Sequence, residues 1–78
     1  MQTDQPPQLT PSLRDAREAK GMTLRAAAHL SGIDPGHLSK VERGEKQLSV
    51  EALYRLAKVV DLDELANHLK PLLPRAVA

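Results

Sequence analysis

The chain has 78 residues, with eleven Lys and Arg against ten Asp and Glu and a formal net charge of +1. That length supports one small core at most, and the balanced charge excludes a polycationic, histone-like mode of binding. There is no cysteine, so disulfides and thiolate metal ligands are excluded, and with Tyr54 as the sole aromatic the core must be aliphatic, without stacking platforms for single-stranded nucleic acid.

Residues 1–9 are polar, hold Pro6 and Pro7, and show no periodic apolar face, so they read as a disordered N-terminal arm. Thr10-Pro11 predicts the cap and first position of the first helix, which runs to about Lys20 and stops at Gly21. Leu13, Ala16 and Arg17 share one face of it, which Lys20 continues. An arginine on an inward stripe needs a carboxylate partner.

Thr23 to Gly44 predicts two short helices around a tight turn. Thr23 caps the second helix, Leu24 to Ser31, with Leu24, Ala27, Ala28 and Ser31 as its inward face. Ala26, Ala27 and Ala28 are strong helix formers, small enough for a neighbouring helix to approach closely. Gly32 suits a left-handed exit. Asp34 then caps a third helix with Pro35 at its first position, running to about Arg43 and stopped by Gly44. This is the layout of a helix-turn-helix, whose second helix enters the DNA major groove. Leu38 and Val41 give that helix a narrow apolar stripe and leave a wide polar surface.

Ser49 caps a fourth helix to about Val60, with Val50, Leu53, Leu56, Ala57 and Val60 as a clear stripe. Tyr54 reads as packing at the core edge. Asp61, with Glu64 three residues on, predicts a capping box for a fifth helix whose stripe is Leu62, Leu65, Ala66 and Leu69 and which Pro71 stops. The expected domain is therefore residues 10–70, followed by a short apolar tail, 71–78, that can pack on the domain or on a second subunit. No apolar run reaches the length of a membrane span and no signal peptide is apparent, so a soluble, cytoplasmic protein is expected.

No catalytic constellation or phosphate-binding glycine loop can be assembled, and His29, His37 and His68 lack metal-ligand spacing. The chain is expected to be a binding module, not an enzyme, with no cofactor and no metal. Lys40 and Arg43 share a face of the third helix. Lys40 can reach guanine O6 and N7 or a phosphate. His37 is the first side chain able to read a base edge, and Ser39 can bond a base, a phosphate or its own helix carbonyl. Arg43, Lys46 and Arg25 are placed for phosphates. Gly36 offers close approach at a helix N-terminus that suits a phosphate. Glu42 would repel DNA on the outside and makes sense turned inward, paired with Arg17.

Residues 13 to about 62 resemble the lambda-repressor-like, Cro/C1-type (XRE) helix-turn-helix family. The resemblance lies in LRDAREAKGMTL, the alanine helix, SGID, GHLSKVERG and SVEALYRLAKVVDL. It implies an all-α domain of four or five helices, usually a dimer, that binds palindromic operators on double-stranded DNA and regulates transcription. It also implies an internal salt bridge between Arg17 and Glu42. Three positions depart from the family pattern. Leu24 stands where many members have a phosphate-holding glutamine. Pro35 and Gly36 stand where the base-reading pair is usually polar, which shifts base contact to His37, Ser39 and Lys40. Ala27 replaces a usual leucine. A sequence-specific regulator, dimeric on an inverted repeat, is the leading expectation. The alternative is a protein-interaction module, an antitoxin or adaptor, acting through the C-terminal helix and tail.

Overall fold

The computed structural model describes residues 12–73, in which five α-helices follow one another: α1 (Leu13–Ala19), α2 (Leu24–Ser31), α3 (Pro35–Glu42), α4 (Val50–Val59) and α5 (Asp63–Leu69). A single 3₁₀ turn, Lys70–Leu72, closes the series, and no strand occurs among the described residues. The fold is all-α, with the element order of a lambda-repressor-like domain. The arm at residues 1–9, the Thr10-Pro11 pair and residues 74–78 of the tail lie outside the described residues.

Short polar side chains start four of the helices by accepting a backbone N–H that the helix cannot satisfy itself. Thr23 Oγ1 accepts from Ala26 at 3.0 Å, Asp34 Oδ2 from His37 at 3.0 Å, and Ser49 Oγ from Ala52 at 3.1 Å. At α1 the cap is Ser12, whose Oγ accepts from Asp15 N at 3.0 Å, and not Thr10 as the sequence suggested. Serine caps as well as threonine, and this start places the Asp15 carboxylate in the first turn, where the helix dipole favours it.

The core gathers Ala16, Ala27, Ala28, Ile33, Leu38, Ala52, Leu56 and Val60, with Leu13, Met22, Leu24, Leu48, Val59 and Leu62 packed around them. Half of the eight innermost residues are alanines, so the helices lie close and little volume separates them. α4 packs on both α2 and α5, and α2 on α3. The inward stripe of α4 is Ala52, Leu56 and Val60 with Ala57 beside it. Val50, expected to begin that stripe, is 40 % exposed, because Ala52 takes the inward position one turn before Leu56.

Two further sequence expectations fail at helix ends. Asp61 does not cap α5. Its φ is +61°, a left-handed conformation, and it forms the exit from α4, where Leu62 N–H donates to Ala57 O at 2.8 Å. That closure brings Leu62 onto the core, and the N-cap of α5 becomes Leu62, which has no side chain to cap with. The gain in apolar contact and closed carbonyls outweighs the local capping-box pattern. Lys20 leaves the inward stripe because α1 ends at Ala19; its ammonium lies 2.8 Å from the Asp61 carboxylate at the surface.

Candidate nucleic-acid interface

The outer face of α3 depends on how its inner face is held. Leu38 is fully buried. Next to it, Arg17 Nε and Nη2 donate to the two oxygens of Glu42 at 2.8 and 3.0 Å, and Arg17 Nη1 donates to Met22 O at 2.9 Å. The two side chains are only 11 % and 6 % exposed. The hydrogen bonds to Glu42 raise the Arg17 guanidinium above its ordinary range despite its burial, so the guanidinium stays charged. Arg17 thus ties α1, the α1–α2 turn and α3 at one point.

The turn between α2 and α3 is set in the same manner. Gly32 has φ +72°, and Ile33 N–H donates back to Ala28 O at 2.9 Å. A helix that leaves through this conformation strongly favours glycine. Arg55 of α4 reaches across and donates from Nε to Ser31 O at 2.8 Å, anchoring the end of α2. No local pattern in the sequence marks Arg55 for this task; its partner is 24 residues away.

With these restraints, Pro35, Gly36, Lys40 and Arg43 are exposed and Ser39 is half-buried. Gly36 has a structural reason of its own, since a Cβ there would lie 3.2 Å from Asp34 Oδ2, the capping oxygen. Arg25 lines a depression with Gly32, Asp34 and Pro35, beside the start of α3. Lys46 lies in the loop after α3, next to Leu48 and Leu53. His37 is turned toward that loop, with Nε2 3.2 Å from Gln47 O. A carbonyl accepts only, so the bond places the ring hydrogen on Nε2 and leaves Nδ1 as an acceptor in the neutral ring.

Arg43 and Ser39 are coupled. Arg43 Nη1 donates to Ser39 Oγ at 2.7 Å, and its Nε and Nη2 donate to Glu45 at 2.9 and 3.2 Å. These bonds hold the Glu45 carboxyl below its ordinary range and push the guanidinium of Arg43 up, so both are charged at neutral pH. Arg14 of α1 joins this side of the molecule; it lines one groove with Leu24, Ser39, Glu42 and Arg43. Neither Arg14 nor Glu45 stood out in the sequence: only the fold brings Arg14 beside α3, and Glu45 meets Arg43 through the turn at the end of α3. Among the described residues no group of His, Cys, Asp and Glu can hold a metal ion, and no helix is long and apolar enough to cross a membrane.

Comparison with known proteins finds similar chains among transcriptional regulators. The chain is 36 % identical over 66 residues to an uncharacterized HTH-type transcriptional regulator, y4dL, of Sinorhizobium fredii, a match covering 85 % of this chain and 33 % of that protein. It is 38 % identical over 50 residues to the transcriptional regulator ClgR of Mycobacterium tuberculosis, covering 64 % of this chain and 45 % of the relative. The chain therefore spans less than half the length of either. No solved structure gives a significant match. A helix-turn-helix family profile matches residues 13–66, which run from the first residue of α1 into α5. With the capped α2, the Gly32 turn and the bolted α3 inside that span, the chain belongs to the Cro/C1-type helix-turn-helix family.

Proposed function

We propose that this chain binds double-stranded DNA sequence-specifically and regulates transcription, as a dimer on an inverted-repeat operator with α3 in the major groove. The observation that carries this reading is the asymmetry of α3. Its inner face is fixed by buried Leu38 and the Arg17–Glu42 pair, and its outer face presents Pro35, Gly36, Ser39, Lys40 and Arg43 with little bulk at the leading end. A rigid helix with a clear N-terminal approach and cations further along is what groove entry requires. In this reading Lys40 and Ser39 face the bases, and Arg25, Gly36, Arg43 and Lys46, with Arg14 of α1, meet phosphates. His37 reads a base edge only through Nδ1, given its bond to Gln47. The names of the two relatives, both transcriptional regulators, support the reading.

Leu72, 64 % exposed beyond α5, supports a protein contact at the C-terminal end. We assign that contact to a dimer mate.

Selection from a random duplex pool, followed by footprinting, tests the proposal. The wild-type chain is expected to select a two-fold symmetric site and to protect two half-sites one helical turn apart. Lys40→Ala/Arg43→Ala should lose that site while keeping its helix content. A double variant that binds the selected duplex as wild type does would remove α3 from the interface.

A further inference from the structure

Arg43 occupies the C-cap of α3, where a guanidinium offers five N–H donors in a rigid plane. Three are already engaged: Nε and Nη2 with the two Glu45 oxygens, and Nη1 with Ser39 Oγ. One N–H remains on each terminal nitrogen, with no acceptor among the described residues. The Glu45 backbone is held at the end of α3, since its N–H donates to Lys40 O at 2.8 Å.

This arrangement is poorly explained by stability. Both side chains of the pair are 54 % exposed, and exposed ion pairs contribute little. It is also poorly explained by phosphate anchoring alone, because a carboxylate at the edge of a DNA-facing helix repels phosphate. The arrangement does fix the plane of the guanidinium from two sides, the helix through Ser39 and the loop through Glu45. A fixed plane matters for parallel, two-point hydrogen bonding to guanine O6 and N7.

We propose that Arg43 reads a guanine in each half-site, with Ser39 and Glu45 as the residues that position it. This rests on the DNA-binding reading above and moves Arg43 from phosphate anchor to base reader. The test uses the duplex selected by the wild-type full chain and a second duplex with 7-deazaguanine at the candidate base. Wild type is expected to lose about tenfold or more in affinity on the second duplex, within the range of a two-point base contact. Arg43→Lys should weaken that discrimination more than it weakens binding to random-sequence duplex, since the charge is kept but an ammonium lacks the fixed two-point plane. Glu45→Gln should lower discrimination at the same base pair without weakening random-sequence binding. Thermal melting of both variants, expected to be unchanged, confirms folding. Full discrimination by Arg43→Lys overturns the proposal. So does a Glu45→Gln variant that tightens selected and random duplexes by one common factor, because Glu45 then only repels. A wild-type chain that selects no sequence overturns the DNA-binding reading and this one together, whereas a selected site insensitive to Arg43→Lys overturns this one alone.

Discussion

Glu42 shows how much one residue can decide. Its carboxylate takes both oxygen contacts from Arg17 in a nearly dry setting, on the helix expected to meet the most acidic of polymers. Removing one partner of a buried pair leaves the other charge without compensation. Glu42→Ala should therefore lower unfolding free energy by about 3–5 kcal/mol, measured by urea denaturation. Arg17→Met/Glu42→Leu should recover most of that loss, because the charge then goes with its partner. A single variant as stable as wild type would mean that the pair is solvated. This bridge could be argued from the sequence because both residues break a pattern: an arginine on an apolar stripe and an acid on a helix otherwise carrying cations. The Arg43–Glu45–Ser39 unit breaks no pattern. Its members are ordinary surface residues until the end of α3 turns Glu45 back on Arg43. Asp61 failed for the opposite reason, since a good local capping box was outcompeted by the closure of the preceding helix.

At the scale of the element, α3 is an eight-residue helix that could not persist alone; isolated helices shorter than about 12–15 residues are marginal in water. Its order comes from Asp34 at one end, Leu38 and Glu42 along its inner side, and the Gly44 turn at the other end. Caps and left-handed glycines are local chemistry, so Thr23, Gly32, Asp34 and Ser49 were legible from the sequence. Arg55 was not, since it acts across a long sequence separation. Gly36 separates two possible purposes of the leading end. Gly36→Ala should gain helix propensity worth about 1 kcal/mol and lose a similar amount by pressing on the Asp34 cap. The melting temperature is thus expected to stay within a few degrees. Binding to the selected duplex should nevertheless weaken about tenfold, because the added methyl occupies the clearance at the groove. If stability falls and binding per folded molecule does not, Gly36 serves only the cap.

Among the described residues, five short helices around an alanine-rich core leave exposed the α3 face and the C-terminal end with Leu72, along with Leu30 of α2. Assigning the first to DNA and the second to a mate predicts that they separate by mutation. Leu72→Glu should shift the chain toward monomer in analytical ultracentrifugation and leave the melting temperature of the domain nearly unchanged. An unaltered mass distribution would detach Leu72 from the dimer. The central claim is that a few placed cations, not net charge, bind DNA. It is tested most directly by titrating salt against affinity for the selected duplex. With about 3–4 phosphate contacts per subunit, log K should fall with log salt at a slope of about −5 to −7, and Lys46→Ala should reduce its magnitude by about 2 for the dimer. A flat response, or a slope untouched by Lys46→Ala, would contradict the account.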